Sequence, residues 1–381
     1  MDFRLSEEQE MLKQTVRNFA EKEILPVRQE WDEKEEFNYE LTQKMFDLGF
    51  FGIVIPEEYG GMGMDYLSYI LVVEELARVD GCQAATVAAG NSLGSAPVYY
   101  YGNEKQRKEF LPELVSGKLF GFGLTEPNAG SDAGGTQTTA VQKGEKWILN
   151  GSKIFITNAS TKITLGSIIQ AVTGEREDGK KEYTCFLVRQ DRPGYKAVPM
   201  HKKMTWRSSN TSEIYLDDVE VTGEDMLGKR GEGFHQMLES LDNGRLAIAA
   251  MGVGGAQGAF EAALNYSQER KQFGRPISRF QINAFKLADM ATEIEAARTL
   301  LYKACWLKDN GKPFGKEAAM SKLYASEVMK RAAHEAVQIF GGYGLMEEYP
   351  VAKFYRDQRL LEIGEGTSEI QRLVIARKLG V

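Results

Sequence analysis

Glu362–Leu373 reads EIGEGTSEIQRL and places one carboxylate, Glu365, between two glycines. Gly364 and Gly366 let the backbone bend and approach a ligand closely. Thr367 and Ser368 are cap-type residues, and Ser368-x-x-Gln371 is a capping-box pattern that would open a last helix. A glutamate carried on a bend at a helix start has the placement of a general base. Taken alone, a solvated turn glutamate is the better reading for one of 54 acidic residues. The accompanying segments reverse that.

Leu124–Ala133, LTEPNAGSDA, joins a proline-stiffened turn to glycines at 130, 134 and 135. Thr125, Ser131 and the exposed amides of such a loop suit a polar heterocycle or a thioester carbonyl, although its composition also fits an ordinary turn. In Lys153–Asn158, KIFITN, Phe155 can stack on a flat ring with the Thr157 hydroxyl beside it; a plain core aromatic reads the same way. Asp242–Arg245, DNGR, sets a guanidinium in an apolar helical run, where it either snorkels or binds an anion. Glu269–Pro276, ERKQFGRP, brings Arg270 and Arg275 around an aromatic, with Gln281 soon after, a pattern suited to a pyrophosphate or to a solvated basic turn. Gln338–Gly344, QIFGGYG, is a glycine-rich helix end at which backbone could touch a ligand or simply cap the helix.

The elements that must hold these residues fall into three stretches. Residues 1–118 have helical periodicity: Ser6-x-x-Gln9 is a capping box before Leu12, Val16 and Phe19, Pro26 interrupts, and Asp65 is positioned to cap Tyr66–Val79. From about Phe120 to residue 228, short β-type runs alternate with turn residues: Trp147–Leu149, Lys153–Thr157, Thr164–Val172, Tyr183–Val188 and Ser212–Leu216. Their spacing predicts an antiparallel barrel or sandwich, not βαβ units. From Gly233 the pattern is again long and helical, as in Ile282, Phe285, Met290, Ile294, Ala297 and Leu301, which predicts a bundle. The expected fold is α+β, mostly α, with domains at 1–119 (N-terminal helical), 120–228 (central β) and 229–381 (C-terminal four-helix bundle).

Composition narrows the partners. A net charge of −7 without a dense Lys/Arg block argues against nucleic acid or an anionic membrane. The apolar runs are too short to span a bilayer, and the acidic N-terminus resembles neither a signal nor a transit peptide, so the expected location is cytoplasmic. Three scattered cysteines and three dispersed histidines give no disulfide framework and no metal-ligand spacing. Gly252–Gly258, GVGGAQG, lies inside a helical run with spacing unlike G-x-G-x-x-G. Tight helix packing explains it better than a nicotinamide site.

In this order, LTEPNAGSD, NGSKIFITN, LDNGR, ERKQFG–RP–Q, QIFGGYG and EGTSEIQR resemble the acyl-CoA dehydrogenase family from end to end, and its short- and medium-chain bacterial members most. The resemblance implies the three-domain layout above, FAD between the β domain and the bundle, a homotetramer, and electrons passed to electron-transfer flavoprotein. By motif position it implies that Phe122, Leu124, Thr125, Phe155 and Thr157 face the flavin or its ribityl chain, and that Ser131 lies near both flavin and CoA. Arg270, Phe273, Gln281, Gln338 and Gly342 would hold the dinucleotide's phosphates and adenosine, partly across a subunit interface, and Thr367 and Glu369 would complete the FAD contacts. Asp242, Arg245, Gly364 and Gly366 would bind the acyl-CoA substrate, and Glu365 matches the catalytic base. Some relatives carry that glutamate immediately before the Arg of the LDxxR helix, where this chain has Gly244.

Three departures bear on substrate. Many relatives have Tyr before the base where Gly364 stands, so a branched or cyclic acyl group gains room; many have Trp at Phe155; and the arginine of glutaryl-type relatives has no counterpart in Gly81–Tyr101. The expected reaction is oxidation of a short- to medium-chain acyl-CoA to the trans-2-enoyl-CoA. The rivals are the same chemistry on a cyclic or branched acyl-CoA, an oxidase that passes electrons to oxygen, and a non-catalytic flavin- or acyl-CoA-binding scaffold.

Overall fold

The computed structural model describes residues 4–381; the first three residues of the expected N-terminal helical domain lie outside them. Seven helices come first: α1 (Glu7–Phe19), α2 (Arg28–Lys34), α3 (Tyr39–Asp47), α4 (Tyr66–Val79), α5 (Gly81–Ala89), α6 (Ala96–Tyr101) and α7 (Glu104–Ser116). The local signals for them act as the sequence suggests. Ser6 and Gln9 form a reciprocal capping box on α1, and the Asp65 side chain accepts from Ser68 N at the start of α4. A distant residue completes that α4 cap, since Asp309 accepts from Tyr66 N at 2.8 Å and from Leu67 N at 3.2 Å. Two π-helical turns, Ala20–Ile24 and Gly90–Ser95, carry no local sequence signal. At the second, a Cβ on Gly90 would lie 2.6 Å from the Phe51 ring, so only glycine lets the two segments meet.

Eight strands follow: β1 (Leu119–Gly123), β2 (Thr139–Lys143), β3 (Lys146–Thr157), β4 (Thr164–Glu175), β5 (Lys181–Arg189), β6 (Tyr195–Pro199), β7 (Thr211–Thr222) and β8 (Met226–Leu227). They form one sheet in the order β6-β7-β3-β2-β4-β5-β8, with β1 alongside β4. The pairing is mainly antiparallel, as expected, but β1 runs parallel to β4, and β2 meets β4 in parallel at Thr139↔Val172. Alternation of side chains carries no information on strand direction, so these parallel contacts were not legible. The two runs Trp147–Leu149 and Lys153–Thr157 are one strand. Gly151 (φ +146°) bridges them at a register shift where Thr138 packs against its Cα.

The remaining chain is α8 (Gly233–Glu269), a β9–β10 hairpin (Lys271–Gln272 and Arg275–Pro276), α9 (Gln281–Asp309), α10 (Gly315–Phe340), α11 (Pro350–Leu361) and α12 (Ser368–Leu379). Helices α8 to α11 pack as a four-helix group, and α12 folds over α10. At 37 residues α8 is the pillar of the molecule, roughly 55 Å long. It also packs on α4, where the glycines of GVGGAQG form the seam: a Cβ on Gly254 would lie 2.1 Å from Glu74 O, and one on Gly258 2.1 Å from Arg78 O. That close approach of two backbones is what the segment is for.

A buried ionic cluster joins the three stretches. Lys353 Nζ of α11 lies 3.0 Å from Asp80 Oδ1 and 3.5 Å from Asp32 Oδ1 and pairs with Asp357, which also accepts from Trp206 N at 3.0 Å. Asp80, Cys82 and Asp357 converge there, and the lysine ammonium takes the central place. The cluster fixes α11, and α11 leads directly into the loop that carries Glu365.

Candidate active site

That loop runs from Glu362 to Thr367, between α11 and α12. Glu365 adopts φ +52°, the left-handed region, and Gly366 follows at φ +93°. A non-glycine residue held there is strained and persists only when its surroundings enforce it. Three side-chain contacts do so. Gln371 Nε2 donates to Glu365 O at 3.2 Å and to Gly366 O at 2.8 Å, and Lys322 Nζ of α10 donates to Gly366 O at 2.7 Å. The expected Ser368–Gln371 capping box does not form. The cap sits one residue earlier, with Thr367 Oγ1 accepting from Ile370 N at 3.3 Å, because Gln371 is engaged with the two carbonyls of the turn.

The turn aims the Glu365 carboxylate at α8. A Cβ built on Gly244 would stand 1.8 Å from Glu365 Oε2, so the carboxylate occupies the space that any side chain at 244 would need. Oε2 is buried and has no hydrogen-bond partner among the described residues. Burial pushes the carboxyl up to about 7, while the nearby Lys322 and Arg245 cations hold it from rising further. The neighbouring wall is α4, where Tyr66 OH donates to Asn243 O at 2.7 Å and Tyr69 OH to Ala88 O at 2.9 Å. Arg245 is buried and pairs with Asp242, yet its Nε has no partner among the described residues. Asp242 is shifted upward by burial, opposed by Arg245.

The second group is built on β1 and β3. Glu126 and Lys153 form a buried ion pair at 2.7 Å; Lys153 Nζ also donates to Leu124 O at 3.2 Å, and Glu126 accepts from Gln137 N at 2.7 Å. Ile154 N donates to Thr125 O at 3.0 Å. The LTEP turn is thereby stitched to the KIFIT strand, on which Phe155 and Thr157 follow. Strict alternation would put Lys153 and Phe155 on one face, but a register shift between Lys153 and Ile156 separates them. Lys153 is fully buried, whereas Phe155, at φ +61°, is 61% exposed. Ser131 is exposed beyond this turn, near Gly134, whose carbonyl accepts from Tyr183 OH at 2.5 Å. The side chains of Phe122 and Leu124 are both buried in the cluster of Phe110, Phe120 and Ile168, because β1 is covered on both faces.

A third group lies where α8 ends and α10 ends. Arg270, Phe273, Gln338 and Gly342 line one cleft, with Tyr266, Phe280 and Tyr343. Gln281 opens α9 between two lining residues, Phe280 and Ile282. Arg275 is turned onto the Phe280 ring at 4.3 Å. Phe273, at the tip of the β9–β10 hairpin, is 92% exposed. Thr367 is committed to its cap, and Glu369, exposed on the first turn of α12, is shifted downward by hydrogen bonds from its own backbone N–H and from Thr367.

These placements suit a flavin dinucleotide. The KIFIT strand offers an exposed aromatic, Phe155, bonded through Ile154 N to the turn that carries Thr125, and the cleft offers a guanidinium, a carboxamide and exposed glycine backbone. Sequence reasoning missed Lys322, Lys153 and Glu126. Each lysine follows a serine and precedes an aliphatic residue, Ile154 on β3 and Leu323 on α10, which marks neither as buried.

Comparison with known proteins agrees along the whole chain. The family models for the acyl-CoA dehydrogenase N-terminal, middle and C-terminal domains match residues 6–118, 121–219 and 231–380. The chain is 52% identical over 380 residues to the probable acyl-CoA dehydrogenase YngJ of Bacillus subtilis, covering 100% of each. It superposes on butyryl-CoA dehydrogenase from Megasphaera elsdenii with a TM-score of 0.96 at 44% identity, covering 100% of both chains. A chain solved in work on the electron transferring flavoprotein of Acidaminococcus fermentans matches at TM-score 0.96 and 46% identity, covering 100% of this chain and 99% of that one. The chain belongs to the acyl-CoA dehydrogenase family. It is an FAD-dependent oxidoreductase acting on a CH–CH bond.

Proposed function

We propose that the protein oxidises a short-chain acyl-CoA, of the butyryl class, to the trans-2-enoyl-CoA, with Glu365 as the base, and that electron-transfer flavoprotein takes the electrons. The observation that carries this is the buried, unpartnered Oε2 of Glu365. A carboxylate kept without a hydrogen bond retains its basicity for a proton that the substrate brings. The name of the Megasphaera relative supports the chain length, and the Acidaminococcus relative supports the acceptor.

The chain's own residues divide the work. Leu124, Thr125, Phe155 and Thr157 position the flavin ring; Arg270, Phe273, Gln281, Gln338 and Gly342 hold the rest of the dinucleotide; and Thr367 and Glu369 border it. The chemistry that bound FAD would supply is acceptance of the β-hydrogen as hydride. Asp242, Arg245, Ser131, Gly364 and Gly366 seat the thioester so that its α-carbon faces Glu365. The Glu365 N–H donates to no group among the described residues and is available to the thioester oxygen as negative charge develops there. Glu365 takes the α-proton and becomes the neutral acid, the form its burial favours.

The space expected beside Gly364 is partly filled. A Cβ there would lie 2.9 Å from Leu360 Cδ2, so Leu360 occupies part of the volume that a branched or cyclic acyl group would use. This supports the straight-chain reading. A homotetramer is part of the same proposal, supported by the exposed Phe273, Ile282, Phe285 and Leu345 near the cleft. So is a cytoplasmic setting, supported by three buried, unbridged cysteines. No described helix is long and apolar enough to cross a membrane.

Turnover of butyryl-, octanoyl-, isobutyryl- and cyclohexanecarboxyl-CoA with electron-transfer flavoprotein as acceptor tests this reading. Butyryl-CoA is expected to give the highest kcat/KM. A preference for isobutyryl- or cyclohexanecarboxyl-CoA would replace the straight-chain substrate, and turnover with oxygen alone would replace the acceptor.

A further inference from the structure

Lys322 lies on the inner face of α10 with its side chain fully buried. An ammonium has three N–H donors, yet the bond to Gly366 O at 2.7 Å is its one hydrogen bond among the described residues. Burying a cation with a single carbonyl partner is unfavourable, and burial indeed lowers Lys322 to about 8. For packing alone, a methionine or leucine would serve better. What the position offers is two things at once: a hydrogen bond to the carbonyl after Glu365 and the Glu365 carboxylate as the charge that acts most strongly on the ammonium.

We infer that Lys322 is a positioning residue for the reaction: its ammonium clamps the Gly366 carbonyl, fixing the left-handed turn that directs Glu365 onto Gly244, and supplies the countercharge to the ionised base. The inference rests on Glu365 being the base. The two roles separate chemically, because Gln371 Nε2 shares the clamp on Gly366 O at 2.8 Å but carries no charge. The charged and titratable groups acting around the carboxylate are Arg245 on α8, Lys322 on α10 and the phenols of Tyr66 and Tyr69 on α4, while Glu362 and Glu369 act on Lys322 from the ends of the loop. Burial raises both phenols, which keeps them neutral, and Lys322 is the cation that acts most strongly on the carboxylate, ahead of Arg245, so its charge bears most on how readily Glu365 ionises.

Three variants test this, each confirmed as flavin-loaded and read by anaerobic stopped-flow reduction with butyryl-CoA from pH 5 to 9. Lys322→Gln retains a donor for Gly366 O and removes the charge. The rise of the reduction rate constant with pH should move upward by about one pH unit. Lys322→Arg keeps the charge and should leave that rise within about 0.3 unit of the wild type. Gln371→Leu loosens the turn without changing the charge, and should slow reduction by about tenfold at every pH without moving the rise. A Lys322→Gln profile superimposable on wild type would overturn the inference, as would equal displacement by Lys322→Arg. If Lys322→Gln fails to load flavin, a displaced rise in Lys322→Arg or in Gln371→Leu would by itself overturn it. Failure of the underlying base assignment looks different, because the wild type itself would then show no rise near pH 7.

Discussion

Glu365→Gln yields a folded, yellow protein whose flavin is not reduced by acyl-CoA. The amide is nearly isosteric with the carboxylate and fits against Gly244, so the pocket keeps its shape. What is lost is the acceptor for the α-proton, and a positioned base of this kind is worth about 10²–10⁴-fold in rate. The reduction rate constant should fall by at least that factor, while binding of the substrate, read from the perturbed flavin spectrum, changes little. Stability provides an independent readout. The Glu365 carboxyl is raised from 4.5 to about 7 in the folded protein, so between those values the folded state binds the proton more tightly than the unfolded state. Charging the group therefore costs stability as pH rises through that window. The glutamine variant should match the wild type in Tm at pH 4 and exceed it at pH 8. Near-normal flavin reduction by Glu365→Gln would show that another group takes the proton.

Gly244→Ala should nearly silence the enzyme while leaving it folded. The new Cβ would lie 1.8 Å from Glu365 Oε2 and 2.7 Å from its Cδ, far inside van der Waals contact. Helix α8 cannot retreat, because Leu246–Val253 beside this point is buried throughout. The flexible end of Glu365 must move instead. A base displaced by an ångström or more loses about 10²-fold through misalignment alone, so flavin reduction should slow by about two orders of magnitude with a small change in Tm. A loss of less than about threefold would show that the carboxylate does not work from this position. The same geometry shows how some relatives can carry their glutamate on this helix instead: positions 244 and 365 address one point in space from opposite sides.

The bend that carries Glu365 was legible from the two flanking glycines and the cap-type Thr367 that follows. The helical–β–helical order was legible from the change in periodicity near Phe120 and again near Gly233. What could not be read depends on contacts between distant segments. Lys322 stands in the sequence as one polar residue in a helix, and only the folded chain brings it to Gly366, 44 positions away. Lys153 and Phe155 have the same parity, and a register shift fixed by the partner strand sends one inward and the other out. Phe122 and Leu124 fit their motif positions, but the burial of both side chains in the core beside β1 could not be read from spacing. The Ser368–Gln371 box was a sound local inference overridden by the turn, which needs Gln371 for its carbonyls.

The pH dependence of anaerobic flavin reduction by butyryl-CoA in the wild-type protein tests most directly the claim that burial holds Glu365 as a base tuned for its task. With the concentration of acyl-CoA kept low, the second-order rate constant reports the free enzyme. It should rise with pH and level off with an apparent pKa of about 7. A constant rate from pH 5 to 9 would contradict this, since the carboxylate would then ionise like an exposed one or take no part.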